Sequence, residues 1–580
     1  MSVISSDIDI ELEFVETGGG VFHRNSDNTD YQCPVTITNT NNDNTYIIVK
    51  LTFSTNISDN NHYFTVGSHN IIFDGQNSSI NVSVANYYGL LRNNNDEYLD
   101  ITIKNLQINA VSPGSLANGA GWFCSNFTIS PGEAAACTAI NCSSTGDITA
   151  SSMENAKGGI FGSECICCQA YNCYSTGYIT NGSGGIFGAK CISCYAINCY
   201  STGNIYNGSG GIFGYATNYN GINNTSSAYI CFSTGLIDCE NSESGSGGIF
   251  GCKSNLSASG TSYVDAIYCY SKGEIGGSDS YNNGGIFGEK CNLFSTNSIC
   301  FANFCSSYGT IYGDTGGSNG GIYGNNAQNC RAYNCFSIGK IGQGSGGIFI
   351  DALSSITEFC YSHGAIGENA GGIFSNATNS VANYCYSIGD IYENAGGIFG
   401  PNADTCNANH CYNTGSVGTD AGGIYGTYSS SSNATNCYVL GNSIFGSGAN
   451  NEVMTNCMIE TDPWSDSSAD STINDTPGIW FSPSPNTPYL LLNYNAFTMI
   501  PEGYKYTYIL PVTTTFTTSQ TVIFTIITGF YRTEQNDSVT ISNNIFGYTF
   551  NYPLVLQIEG GTGIPAHIPL LFKQIKKINL

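Results

Sequence analysis

Short apolar runs alternate along this chain with glycine, asparagine and serine, and they recur in register. The clearest unit reads Gly-Gly-Ile-Phe-Gly at 184–188 and Asn-Cys-Tyr-Ser-Thr-Gly at 198–203. A fixed period of this kind predicts a repeat architecture, in which each unit buries its apolar side against the next. The isoleucine of the first element returns every 25–26 or 36–37 residues, at Ile160, Ile186, Ile212, Ile249, Ile286, Ile322, Ile348, Ile373, Ile398 and Ile424.

A cysteine occupies the same place in the second element of every unit. The column consists of Cys142, Cys173, Cys199, Cys231, Cys269, Cys305, Cys335, Cys360, Cys385, Cys411 and Cys437. A glycine follows each cysteine by four residues, which indicates positions that need positive φ or close packing. We predict that the thiols form a ladder inside the core, as small hydrophobic groups. Disulfides between stacked cysteines are the alternative.

No helical period is evident, and β-branched runs between Asn, Asp and Gly turns are typical of strands. The sequence therefore predicts an all-β chain, a parallel β-solenoid with 25–26-residue coils, right-handed by general chirality. Each coil is expected to have two halves, each a strand and a glycine turn. The predicted parts are an N-terminal cap (1–45), opening coils (46–118), the repeat solenoid (119–460), a linker and end cap (461–490), and a C-terminal β-sandwich-like domain (491–580).

The charge balance excludes one large class of partners. Only 10% of the 580 residues are charged, and the net charge is -26. Such a surface repels phosphate backbones, so nucleic acid is not an expected partner. No stretch reaches 18 apolar residues and no signal peptide opens the chain, so we expect synthesis in the cytosol without membrane insertion.

An aromatic residue follows most cysteines of the column. Strand alternation places these rings on the face opposite the thiols. The row is either a structural ladder on a solvated face or a surface for a ligand or partner, such as a glycan. The tyrosines predicted for that surface are Tyr174, Tyr200, Tyr270, Tyr361, Tyr386 and Tyr412.

Catalytic and metal-binding patterns are weak. Two C-x2-C pairs in consecutive units, Cys165 with Cys168 and Cys191 with Cys194, have spacing that suits a zinc site, although Cys168 and Cys194 also belong to a second packed column. The carboxylates form no convincing column, and the two main acids near the longer units are Asp265 and Glu289. No catalytic set and no cofactor are predicted.

The paired elements Gly-Gly-Ile-Phe-Gly and Asn-Cys-Tyr-Ser-Thr-Gly resemble the GLUG-type repeats of bacterial surface and adhesin-like proteins. The resemblance covers about residues 119–446 and implies a β-solenoid. The stretch Phe64 to Gln76, with the Asn-, Ile- and Tyr-rich composition, is similar to uncharacterised repeat proteins of giant DNA viruses that infect amoebae. This second resemblance implies a virion component.

These observations favour a non-enzymatic structural or attachment protein, a fibre or capsid-associated rod at a virion surface. We expect a homo-oligomer assembled through the C-terminal domain, with a capsid protein or a host glycan as partner. The alternatives are a β-helix carbohydrate-active enzyme, a lyase or glycoside hydrolase that uses Asp265, and a glycan-binding module without catalysis.

Overall fold

We describe the chain from a computed structural model. It describes residues 2–460, apart from 16–19, 42–44, 94–99, 126, 128–135, 240–243, 259–260, 278–279, 296, 315–317 and 456. Beyond residue 460 it describes strand backbones only. The chain divides into two units, Met1–Thr461 and Asp462–Leu580.

The first unit is a parallel β-solenoid, as the repeat predicts. Its opening coils already begin inside the segment predicted as a cap, because Ser2–Ser6 pairs in parallel with Val35–Asn39. One ladder contains Ser2–Ser6, Val35–Asn39, Phe64–Val66, Leu91–Arg92 and Cys124–Ser125. The other contains Ile10–Val15, Ile47–Phe53, Ile71–Val82, Ile101–Ala110 and Cys137–Ser144. An antiparallel hairpin, Val21–Arg24 with Thr29–Gln32, is attached to Ile10–Val15.

In the repeat region the wall that carries the Asn-Cys-Tyr element consists of two consecutive ladders, which meet just before the cysteine. The first ladder contains Gln169–Tyr171, Tyr195–Ile197, Thr225–Tyr229, Tyr263–Ile267, Ile299–Asn303, Arg331–Tyr333, Ile356–Glu358, Val381–Asn383, Asn407–Asn409, Asn433–Thr435 and Val453–Thr455. The second contains Tyr174–Ser175, Tyr200–Ser201, Phe232–Ser233, Tyr270–Ser271, Ser306–Ser307, Phe336–Ser337, Tyr361–Ser362, Tyr386–Ser387, Tyr412–Asn413, Tyr438–Leu440 and Met458–Glu460. Neighbours pair in parallel without register slips.

The expectation of two strands per coil is too low. A further ladder contains Ile148–Thr149, Ile179–Thr180, Ile205–Tyr206 and Ile237–Asp238, and single bridges continue it from Ile275 onward. The Gly-Gly-Ile-Phe element forms bridges of its own, for example Gly184 with Gly210 and Phe187 with Phe213. A short sheet adds Ala327–Gln328, Phe349–Leu353 and Phe374–Thr378, and Met153–Asn155 is a 3₁₀ turn. The sequence pattern hides most of these pairings because their strands are only one or two residues long, apart from Phe349–Leu353 and Phe374–Thr378.

The core is continuous along the stack. The isoleucines and phenylalanines of the Gly-Gly-Ile-Phe elements are buried together with the cysteine column. The phenylalanine rings stack coil on coil, as in Phe161 with Phe187 at 5.0 Å and 6° between planes. The glycines four residues after each cysteine serve close packing: a Cβ on Gly203 would collide with the backbone carbonyl of Gly177.

In the second unit the described strands pair antiparallel. Lys505–Leu510, Leu554–Glu559, Val522–Ile527 and Asn536–Ile541 form one sheet, Thr514–Thr518 pairs with Phe546–Phe550, and Trp480–Phe481 pairs with Tyr489–Leu490. The rest of the predicted linker and of the predicted sandwich lies outside the described residues.

Candidate ligand-binding face

The predicted cysteine ladder faces inward. All eleven members are at most 1% exposed. Each of these thiols lies near backbone carbonyls: the Sγ of Cys199 is 3.5 Å from the oxygen of Ala170 in the preceding coil. Burial raises the pKa of Cys335 well above its ordinary value, because a thiolate would lose its hydration there. Because all its members are buried, the column has the character of a packing element.

The residues that follow these cysteines form a stacked aromatic ladder on the opposite side of the same strands. Tyr174 and Tyr200 lie 4.8 Å apart at 5°, and Tyr361, Tyr386 and Tyr412 continue the same geometry at 4.8 and 4.7 Å. The rings of Tyr174, Tyr200, Tyr270, Tyr361 and Tyr386 are half-buried, whereas that of Tyr412 is buried. Their mutual stacking covers the ring faces, so a ligand would reach mainly their edges.

A second aromatic column lies beside the ladder, and the sequence did not reveal it. The residue immediately before each column cysteine has positive φ, as at Asn198 (53°) and Tyr268 (55°). The early coils place asparagine there, and the amide of Asn198 donates to the side-chain oxygen of Asn172 at 2.7 Å. Several later coils replace the amide with a ring, although Asn334 and Asn436 keep it. Tyr268, for example, stacks on Phe304 at 5.0 Å. An aromatic residue with positive φ has a steric cost, and the hydrogen bonds between stacked coils compensate for it.

Asp265 lies on the outer side of Tyr263–Ile267, in register between Ser227 and Phe301. Burial raises its pKa to about 6, because the carboxylate has lost part of its hydration. The neighbouring outward residue Tyr263 is an exposed aromatic. Asp265 is thus a half-buried acid on an aromatic surface. The other acid singled out from the sequence, Glu289, is 2% exposed, accepts from the N–H of Gly245 and pairs with Lys290 at 2.5 Å.

The longer coils insert segments immediately before the strands Thr225–Tyr229, Tyr263–Ile267 and Ile299–Asn303. Buried asparagines fasten them to the next strands: Asn218 donates to the carbonyl of Tyr263 at 2.7 Å, and Asn255 donates to that of Ile299 at 3.0 Å. The segments carry two of the most exposed apolar side chains of the described chain, Ile222 (65%) and Phe294 (76%). The insertions form an anchored apolar border beside the outer face of the strands.

The structure brings the four cysteines of the zinc hypothesis together in one buried cluster. The Sγ of Cys165 lies 3.0 Å from that of Cys191 and 3.7 Å from that of Cys194. The Sγ–Sγ edge of a tetrahedral zinc site is about 3.8 Å, given Zn–S bonds of about 2.3 Å. Within the described ranges, no group of three or more His, Cys, Asp or Glu has an arrangement that could hold a metal ion. The cluster consists of packed free thiols, with no disulfide between them.

No known protein family matches this chain, and no curated protein matches it either. Two solved structures are similar in fold. One is the A-module of the mannuronan C-5 epimerase AlgE6 of Azotobacter vinelandii, with 10% identity, a TM-score of 0.29, and coverage of 74% of this chain and 91% of that one. The other is tailspike protein 3 of bacteriophage CBA120, with 10% identity, a TM-score of 0.23, and coverage of 73% and 56%. At these values neither likeness bears on the activity of this chain. No helix in the described residues has the length and apolar character to cross a membrane.

Proposed function

We propose that this chain is a non-enzymatic attachment rod that binds neutral glycans through its outer aromatic face. The observation that carries the proposal is the pair of aromatic columns beside the cysteine ladder, whose rings remain half-exposed except at Tyr412 and Tyr438, while the thiols behind them are buried. The exposed edges of these rings offer apolar contacts to a sugar, and a ring face can stack on a sugar wherever the ladder leaves that face open. Continuous parallel ladders provide a stiff support that holds the rings at a fixed spacing.

The charge of the chain selects among glycans. With a net charge of -26, the chain repels sulfated and uronic acid polymers at a distance. Neutral oligosaccharides are therefore the proposed ligands. The proposed setting is the surface of a large virus particle, which rests on the sequence resemblance, and the proposed assembly is a homo-oligomer joined through the C-terminal domain.

A glycan array probed with the full-length chain tests the ligand class. We expect binding to neutral oligosaccharides and none to heparin or polyuronates. Binding to the anionic polymers alone, or to no glycan at all, would refute the proposal. Light scattering on the same sample tests the assembly: a monomeric mass at micromolar concentration would refute the oligomer.

Asp265 favours a second candidate, a polysaccharide-cleaving enzyme. A carboxylic acid with a pKa of about 6 keeps part of its proton near neutral pH and can act as a general acid. Glycosidases usually need a second carboxylate across the bond. The test is an assay for new reducing or unsaturated ends from the glycans that bind. Turnover that Asp265→Asn abolishes would replace the binding proposal with the enzymatic one.

A further inference from the structure

The outer aromatic ladder has one interruption. From Tyr174 to Tyr438 the position after the cysteine holds a ring in every coil except that of Ser306. Ser306 pairs in register with Tyr270 on one side and Phe336 on the other. These two rings are therefore two coils apart. Because uninterrupted neighbours stack at 4.8 Å, as Tyr200 and Phe232 do, the two faces stand roughly 9.6 Å apart across the gap.

One side chain covers this gap, and it does not restore the stack. Tyr308 lies 6.1 Å from Tyr270 at 86° and 5.8 Å from Phe336 at 85°, so it presents its edge to both ring faces. Ser306 beneath it is 5% exposed, whereas Tyr308 is 42% exposed. A solvent-facing ring with edge contacts can rotate away at modest cost. Its departure would leave two parallel aromatic faces open to solvent.

The width of the gap selects its occupant. A flat ring midway in the gap of roughly 9.6 Å lies about 4.8 Å from each face, as in the rest of the ladder, whereas carbon atoms in contact lie about 3.5–4 Å apart. A pyranose ring is thicker because its C–H bonds project above and below. Lys272 adds a polar group: its Nζ lies 5.6 Å from the centre of the Tyr270 ring, within reach to donate to a sugar hydroxyl.

We infer that the gap at Ser306 is a sugar-binding subsite that takes one pyranose ring of a neutral glycan between Tyr270 and Phe336, with Tyr308 as its movable cover. The inference rests on the proposed glycan binding and gives it a position. At this point of the ladder a ligand reaches ring faces. Elsewhere the stacked rings cover one another.

Ser306→Tyr is the decisive variant. It supplies the residue that the coils with Tyr270 and Tyr361 carry, so it completes the stack and fills the subsite without disturbing the fold. We expect at least tenfold weaker binding of cellohexaose, chitohexaose or mannohexaose, whichever the full-length chain binds, by calorimetry. The melting temperature should equal or exceed that of the wild type. Unchanged affinity would overturn the subsite.

The cover has a matched control. Ile338 occupies the position of Tyr308 in the next coil and is also 42% exposed. Tyr308→Ala should keep or strengthen binding by a few-fold, since it opens the gap, and Ile338→Ala should leave it unchanged. Equal loss in both variants would overturn the role of the cover. If Ser306→Tyr binds normally while the array still shows neutral glycans, the subsite fails and the proposed function stands; if no glycan binds, both fail.

Discussion

Ser201→Ala is expected to stabilise the chain, although it removes a polar group from the core. Ser201 belongs to an inward serine column that follows the aromatic ladder. Within the part of the chain that the structure describes, the hydroxyls of this column are buried without a hydrogen-bond partner, at Ser144, Ser175, Ser201, Ser233, Ser271, Ser307, Ser337 and Ser362. Ser201 itself is fully buried.

The magnitude follows from the cost of desolvation. A buried hydroxyl without a partner costs about 1–3 kcal/mol, and alanine relieves this cost. The void left by one oxygen is small, because a Cβ at Gly211 would lie only 2.6 Å from that oxygen. The lost contacts offset about 0.5–1 kcal/mol. We therefore expect the free energy of unfolding to rise by about 0.5–2 kcal/mol.

Ser226 is the matched control. It is equally buried, but its hydroxyl donates to the side-chain oxygen of Asn218 at 2.7 Å and accepts from the N–H of Cys194 at 3.2 Å. Ser226→Ala removes the hydroxyl partner of the Asn218 side-chain oxygen and of the Cys194 N–H, and it should lower the free energy of unfolding by about 1–3 kcal/mol. Calorimetric melting of the full-length variants measures both changes. If Ser201→Ala destabilises as much as Ser226→Ala, the hydroxyl column is satisfied and the reasoning fails.

Three further predictions test the packing and the charges. Gly203→Ala should prevent folding at 37 °C, because its Cβ would collide with a backbone carbonyl. In the control Gly277→Ala the nearest obstacle is a carboxylate oxygen at 3.2 Å, so this variant should melt near the wild type. Equal melting temperatures of the two variants would contradict the close packing. Ellman's reagent should label the native chain slowly, because only Cys33 and Cys457 are not buried and burial raises the pKa of Cys33 to about 12. In denaturant it should label all 26 cysteines. Fewer labelled cysteines in denaturant would indicate disulfides. Asp265→Asn should stabilise the chain by about 1–2 kcal/mol at pH 7–8 and by nothing below about pH 4. The reason is that the folded pKa of about 6 lies above the unfolded one, so stability present at low pH is lost as pH rises through 6; a pH-independent difference would contradict this.

The period and the alternation of the repeat were sufficient to predict the parallel solenoid. Period alone carries that information, because every coil must repeat the contacts of the one before it. The same alternation gives the two sides of the strand at Cys199 and Tyr200. The alternation does not give the number of paired segments in each coil, since the single bridges at Gly184 and Phe187 are too short to show the period of a strand.

The positive φ of the residue before each column cysteine was not predictable from residue preferences. Ile230 and Tyr268 have positive φ, which β-branched and aromatic residues disfavour. The stack imposes this backbone, because the N–H of Ile230 donates to the carbonyl of Ile267 in the next coil at 3.0 Å. The spacing of the two C-x2-C pairs predicts that Cys165 lies beside Cys191, but it does not give the 3.0 Å between their sulfurs.

The proposed glycan binding is tested most directly by the affinity of Tyr361→Ala/Tyr386→Ala for the neutral oligosaccharide that the full-length chain binds best. Each ring contributes about 0.5–1.5 kcal/mol through the edge that it presents to the ligand, so the account predicts an affinity loss of roughly 5- to 150-fold, with an unchanged β-sheet circular dichroism spectrum. An unchanged affinity would show that the outer aromatic face is a structural ladder and would contradict the account.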